Sequence, residues 1–117
     1  MIIGILRETG NEKRVAMLPA EIATLKKMGV ELLVENNAGE KAFASDKDYQ
    51  AVCASVSSRK DLFLKSGMLL SVNPLPEEDL GLCKEGQVLC SVLNPAENIK
   101  WLELAREKGL TVLGLDL

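Results

Sequence analysis

The stretch GILRETGNEKRVAMLP, residues 4–19, decides how this 117-residue chain is interpreted. It begins inside the apolar, isoleucine-rich run Met1–Ile5, which is typical of a buried β-strand. A charged segment follows, and a second apolar run then reaches Pro19, a residue that suits the first position of a helix. The stretch predicts a strand, a charged loop and a helix, and it raises the question of whether Arg14 in the loop holds an anion.

The same alternation of apolar runs and helical patterns continues along the chain. We predict strands at Met1–Ile5, Val30–Glu35, Met68–Val72, Gln87–Val92 and Thr111–Leu117. We predict helices that begin at Pro19, after Ser45, after Ser57 or Ser58, at Pro76 and at the pair Asn94-Pro95, where Asn94 would be the cap. This alternation favours an α/β fold: an open, mostly parallel sheet of about five strands, flavodoxin-like or Rossmann-like, with helices on both faces.

The composition excludes several classes of protein. The net charge is −3, which argues against a nucleic-acid partner. The chain has no histidine and three cysteines without CxxC spacing, so we predict no metal site, no disulfide framework and a reducing, cytoplasmic location. We expect Cys53, Cys83 and Cys90 to be small buried hydrophobes, and Trp101 to serve packing. No apolar run is long enough to span a membrane.

The glycines do not form a dinucleotide fingerprint. Nine are present, but none are spaced as Gly-x-Gly, and the loop after the first strand is long and charged. We therefore expect that residues 1–117, a single α/β domain, do not hold a pyrophosphate alone. The chain ends on a predicted strand, which suggests the N-terminal part of a longer two-domain polypeptide; a small complete domain is the alternative.

Three polar residues are candidates for one edge of the predicted sheet. Arg14, Asn73 and Asn94 each follow a predicted strand, and ligands of open α/β sheets bind at the carboxyl ends of the strands. Arg14 could hold a carboxylate or phosphate, or it could pair with Glu8, Glu12 or another carboxylate of the chain. The two asparagines could bind a polar ligand, or they could belong to ordinary Asn-Pro turns.

Several motifs together resemble a known family. They occur in the order EKRVAMLP, VELLVENNAGEKAF, SDKDYQAVCA, LLSVNPLPEEDL, EGQVLCSVLNPAEN and REKGLTVLGLDL. In this order they are similar to the N-terminal part of the alanine dehydrogenase and nicotinamide nucleotide transhydrogenase family, over nearly all of the chain.

The resemblance also distinguishes between branches of that family. Its alanine dehydrogenases use the arginine of the RVA motif with a lysine and a histidine to handle pyruvate. Arg14 stands at the arginine position, Asn73 at the lysine position and Asn94 at the histidine position. Because the proton-transfer groups are missing, the resemblance favours the alpha subunit of the proton-translocating NAD(P) transhydrogenases.

That branch implies an oxidoreductase in which hydride passes from NADH to NADP⁺ held on a partner component, coupled to proton translocation. The full-length subunit would bind NAD(H), form a homodimer, and lie at the inner membrane with the membrane and NADP(H)-binding components. Residues 1–117 would supply one wall of an interdomain cleft, with no catalytic residue, and the cofactor-binding residues would lie beyond Leu117. The alternatives are an alanine-dehydrogenase-like or saccharopine-dehydrogenase-like oxidoreductase domain, and a non-catalytic assembly module.

Overall fold

Six parallel strands form the sheet in a computed structural model that describes residues 1–116. The strands are β1 (Ile2–Ile5), β2 (Glu31–Glu35), β3 (Ser55–Ser57), β4 (Met68–Leu70), β5 (Val88–Ser91) and β6 (Thr111–Gly114). Their order across the sheet is β3-β2-β1-β4-β5-β6, and every pairing is parallel. This is the strand order of a doubly wound Rossmann-like sheet, so the predicted fold class is confirmed.

Helices cover both faces of the sheet. They are α1 (Pro19–Lys27), α2 (Asp46–Ala51), α3 (Arg59–Lys65), α4 (Glu77–Leu80) and α5 (Ile99–Glu107), with a 3-10 turn at Glu40–Ala42. The buried side chains of α1 and α2 pack with one set of strand residues, and those of α3, α4 and α5 pack with the other. The two apolar cores follow from strands whose alternate side chains point to opposite faces.

Helix ends agree with the capping residues that the sequence predicts in three cases. Pro19 is the first residue of α1, and the Glu21 carboxylate accepts a hydrogen bond from the Leu18 N–H at 2.9 Å. Ser45 caps α2 and Ser58 caps α3 through their hydroxyl oxygens. These contacts satisfy N–H groups that a helix start leaves without partners.

The predicted secondary structure needs correction at three places. The segment Ser55–Ser57 was not predicted, because three residues with a single apolar side chain carry too weak a periodic signal; the sheet has six strands and not five. Asn94 does not cap the last helix: it has a φ of 45°, a turn follows, and α5 begins after Asn98. The strand predicted at Thr111–Leu117 ends at Gly114, and its last residue, Leu117, lies outside the described residues.

The sheet has one topological switch point. From β1 the chain adds β2 and β3 on one side, and it then crosses to add β4, β5 and β6 on the other side. The crevice at the carboxyl ends of β1 and β4 is therefore the place where sheets of this kind bind ligands. Within residues 1–116, no helix has the length and apolarity that a membrane crossing requires.

Candidate functional site

Glu12 joins two of the three candidate residues at the carboxyl edge of the sheet. Its carboxylate accepts hydrogen bonds from the Arg14 guanidinium at 2.7 and 3.0 Å, and from the Asn73 side-chain amide at 2.9 Å. The loop after β1 supplies Glu12 and Arg14, and the loop after β4 supplies Asn73. Arg14 and Asn73 thus lie together, as their positions after neighbouring strands predict.

The guanidinium of Arg14 is paired within the chain. Its side chain is 70% exposed, yet its charge is matched by the Glu12 carboxylate, which is 16% exposed. The hydrogen bond from Arg14 lowers the pKa of Glu12 to about 2, and the same contact raises the pKa of Arg14. Of the two interpretations of Arg14, the structure contains the internal pair with a carboxylate.

Glu8 binds the backbone of the β4 loop. One carboxylate oxygen accepts the Val72 N–H at 2.8 Å, and the other accepts the Asn73 N–H at 3.0 Å. Burial raises the pKa of the Glu8 carboxyl above its ordinary value, an effect that the two N–H groups partly offset. The Glu8 side chain thereby fixes the turn that carries Asn73.

The third candidate, Asn94, lies in a separate contact group. Its backbone N–H and that of Leu93 each donate to one oxygen of the Asp116 carboxylate at 2.9 Å, and these bonds lower the pKa of Asp116. The Asn94 carbonyl accepts from the Asn98 side-chain amide at 3.3 Å. Among residues 1–116, Asn94 shares no hydrogen bond with Arg14 or Asn73.

Arg59 links two carboxylates beside the same edge. Its guanidinium contacts Glu35 at 2.7 Å and Asp79 at 2.6 Å, and it lies 5.5 Å from the centre of the Phe63 ring. Glu35, at the end of β2, also accepts the Arg7 N–H at 2.8 Å. Burial lowers the pKa of Arg59, but its two carboxylate partners outweigh that effect and raise it. Arg59 connects the first turns of α3 and α4 to the carboxyl end of β2.

Sequence reasoning did not identify the acidic residues that organise this edge. Glu8, Glu35 and Asp116 each stand at or within three residues of the end of a strand. The sequence does contain one indication of these residues, which is an acidic residue at or just after the end of an apolar run. Backbone N–H groups of neighbouring strands are free at such a place and need acceptors.

The three cysteines and Trp101 were predicted to be buried packing residues, and the structure agrees for some of them and not for others. Cys83 is buried, and burial raises its pKa to about 11, as expected of a small core residue. Cys90 is partly buried in β5. Cys53 is exposed at a φ of 67°, so its predicted burial was wrong. Trp101 is 4% exposed and donates to the Leu75 carbonyl at 2.7 Å, which confirms its packing role.

The edge does not fit the pyrophosphate of a dinucleotide. Free backbone N–H groups in a glycine-rich turn usually bind that group, whereas here the N–H groups at the switch point already bind the Glu8 carboxylate. Glu8 and Glu12 add negative charge beside them. The arrangement is suited to holding loops in position, and it presents amide, carboxylate and guanidinium groups that are already paired with one another.

Comparison with known proteins gives a consistent result. The family model for the alanine dehydrogenase/PNT N-terminal domain matches residues 4–117. The NAD(P) transhydrogenase subunit alpha of Cereibacter sphaeroides is 37% identical over 119 aligned residues, which cover all of this chain and 23% of that subunit. The chain thus spans about a quarter of the length of that relative.

Solved structures share the fold. An L-alanine dehydrogenase superposes with a TM-score of 0.90 at 32% identity, over 97% of this chain and 32% of the enzyme. The transhydrogenase from Sinorhizobium meliloti superposes with a TM-score of 0.92 over 97% of this chain and 34% of the solved chain. The second likeness, at 24% identity, establishes the fold alone.

Proposed function

The chain belongs to the alanine dehydrogenase/PNT N-terminal domain family, and on that premise we propose that it serves as the N-terminal domain of an NAD(P) transhydrogenase alpha subunit. The complete enzyme would transfer hydride between NADH and NADP⁺ and couple the transfer to proton translocation. The similarity to a transhydrogenase alpha subunit over the whole chain supports this branch.

The observation that carries the choice of branch is the state of Arg14 and Asn73. An enzyme that oxidises alanine needs a cation for the substrate carboxylate and a group that accepts a proton. Arg14 is neutralised by Glu12, and Asn73 is an amide that donates to the same carboxylate. Neither side chain takes up a proton near neutral pH, and the chain has no histidine.

This domain would therefore form one wall of the interdomain cleft and would supply no catalytic group. Hydride transfer between two nicotinamide rings needs the rings to be held close and shielded, and it needs no acid or base from this domain. Because the switch point does not fit a pyrophosphate, we place the NAD(H)-binding residues in a second domain beyond Leu117. Arg14, Asn73 and Asn94 would face the cleft between the two domains.

The proposal extends to assembly. The complete subunit would form a homodimer at the cytoplasmic side of the inner membrane, with a membrane component and a component that holds NADP(H). Sequencing the gene beyond codon 117 tests the domain arrangement directly: we expect a strand, a Gly-x-Gly-x-x-Gly turn and a helix in the continuing frame. A stop codon directly after Leu117 would contradict that arrangement.

A pair of activity assays tests the function. The polypeptide that carries this chain is combined with the membrane and NADP(H)-binding components, and reduction of an NAD⁺ analogue by NADPH is followed by absorbance. Alanine-dependent reduction of NAD⁺ is measured on the same preparation. We expect activity in the first assay and none in the second. The reverse result would favour an alanine dehydrogenase. A solved L-alanine dehydrogenase is 32% identical to this chain.

A further inference from the structure

Two consecutive backbone N–H groups hold one carboxylate at the switch point. The Glu8 oxygens lie 2.8 Å from the Val72 nitrogen and 3.0 Å from the Asn73 nitrogen, so each oxygen accepts one N–H. Glu8 belongs to the loop after β1, and the two N–H groups follow β4. The carboxylate therefore spans the crevice between the two strands where an open α/β sheet ordinarily receives a ligand.

The same arrangement occurs a second time along the edge. Asp116, after β6, accepts the N–H groups of Leu93 and Asn94 after β5, each at 2.9 Å. In both places the second N–H belongs to an asparagine that precedes a proline. Since proline has no N–H, each pair consists of the last two backbone N–H groups before the proline. The repetition shows that these N–H pairs match a bidentate carboxylate.

We propose that Val72 and Asn73 form a binding site for a small carboxylate, and that Glu8 fills this site as an internal ligand. When the Glu8 carboxylate is removed, the site accepts formate or acetate from solution. In the native protein the site is closed, so no anionic ligand binds at the switch point of this domain. The assignment concerns this domain alone and does not depend on the proposed transhydrogenase function.

The surroundings of the site favour a small monoanion. Glu12 adds a negative charge near Glu8, and Arg14 adds a positive charge that Glu12 largely neutralises. A carboxylate presents two oxygens, one for each N–H group, as the Glu8 carboxylate does. A phosphate carries more negative charge toward Glu12, and we expect it to bind less well.

Thermal unfolding of Glu8→Ala tests the site. The variant removes the acceptor of a part-buried N–H at Val72 and of an exposed N–H at Asn73, and its Tm should fall by about 5 °C. Sodium formate or acetate should then raise the Tm of this variant well above the value in sodium chloride of equal ionic strength. Glu103→Ala is the matched control, because it removes an exposed carboxylate of α5 and leaves the Glu8 contacts and the Arg14–Glu12 pair intact. The control and the wild type should show no formate effect beyond that of chloride.

Two results would overturn the proposal. One is a formate response of Glu8→Ala no larger than that of Glu103→Ala. The other is a larger response to phosphate than to formate, because that would assign the N–H pair to another class of anion.

A second measurement on the wild-type protein serves if Glu8→Ala does not fold. In a pH titration by NMR, the amide protons of Val72 and Asn73 should shift with the same midpoint as the Glu8 side-chain carboxyl carbon. Glu12 and Arg14 are the charged groups that act on Glu8, and Glu12→Gln separates their effect from that of the N–H bonds. Amide protons that do not follow the Glu8 titration would refute the assignment.

Discussion

The carboxylate of Glu12 accepts a hydrogen bond from the side-chain amide of Asn73 at 2.9 Å, although the two residues are 61 positions apart. The contact ties the loop after β1 to the loop after β4. Because Arg14 binds the same carboxylate, Arg14 and Asn73 form one unit through an acidic residue. At this edge Arg14 is therefore one half of an ion pair with Glu12 and not a free cation.

Replacing Glu12 with glutamine should change the pH dependence of stability. The pKa of Glu12 is lowered from 4.5 to about 2 by its hydrogen bonds with Arg14 and Asn73. A carboxyl whose pKa is lower in the folded state contributes stability above its unfolded pKa, and that contribution is lost as the pH falls through the folded value. The stability difference between wild type and Glu12→Gln should thus be full above pH 4.5 and vanish near pH 2. Urea unfolding at several pH values measures it, and a constant difference would contradict the pairing.

Arg59 should matter more for stability than Arg14. Its side chain is 25% exposed and bridges Glu35 and Asp79, so Arg59→Ala leaves two partly buried carboxylates without their cationic partner. We expect a loss of about 2–3 kcal/mol in the free energy of unfolding, and a smaller loss for Arg59→Lys, whose single ammonium cannot match both carboxylates. Arg14→Ala, at a 70% exposed position, is the control and should have little effect. Equal urea midpoints for the two alanine variants would refute this ranking.

Gly4 and Ser66 should show a strong energetic coupling. A Cβ at Gly4 would overlap the Ser66 hydroxyl and lie 2.9 Å from Leu69 Cδ2, so Gly4→Ala should cost about 1–3 kcal/mol. The Ser66 hydroxyl is buried without a hydrogen-bond partner among the described residues, so Ser66→Ala should be neutral or stabilising.

The double variant makes space for the new methyl group. Its destabilisation should be smaller than the sum of the single effects by more than about 0.5 kcal/mol. Additive effects in a double-mutant cycle, measured by urea unfolding, would show that the overlap with Ser66 is not the source of the cost.

Residues 1–117 should not bind NADH tightly. The glycine fingerprint is absent, and the N–H groups at the switch point hold Glu8. We expect no saturation in a fluorescence titration with NADH up to about 1 mM. The complete transhydrogenase alpha subunit of Cereibacter sphaeroides is the positive control. Micromolar binding to residues 1–117 alone would place a nucleotide site in this domain. It would contradict the proposal that a second domain binds NAD(H).

The sequence predicts the fold well because apolar periodicity and caps are local signals. Pro19, Ser45 and Ser58 start their helices where predicted, since each acts on N–H groups within one turn. The segment Ser55–Ser57 is a strand only because β2 lies beside it, and Asn94 adopts a positive φ next to Asp116, whose contact spans 22 residues. Contacts between residues distant in the sequence produce no periodic pattern of apolar residues, so the sequence does not reveal them.

The site shows the same limit. The proximity of Arg14 to Asn73 follows from strand order, and the possibility of an internal partner for Arg14 was evident from nearby carboxylates. Glu12, the partner of Arg14, is only two residues away from it in the sequence. That Glu12 also binds Asn73, and that Glu8 binds the β4 loop, depends on contacts across more than 60 residues. Sequence spacing supplies no distance for such contacts, so the acidic residues that organise the edge could not be ranked above other charged positions.

The most direct measurement of the central claim is a domain exchange. Residues 1–117 replace the corresponding N-terminal segment of the Cereibacter sphaeroides transhydrogenase alpha subunit, and the chimera is assayed with its partner components for reduction of an NAD⁺ analogue by NADPH. The same residues replace the N-terminal segment of the L-alanine dehydrogenase of known structure, and NADH binding confirms that each chimera is folded. We predict hydride transfer in the first chimera at a rate within an order of magnitude of the parent, and no alanine oxidation in the second. Alanine oxidation in the second chimera, with an inactive but NADH-binding first chimera, would contradict the account.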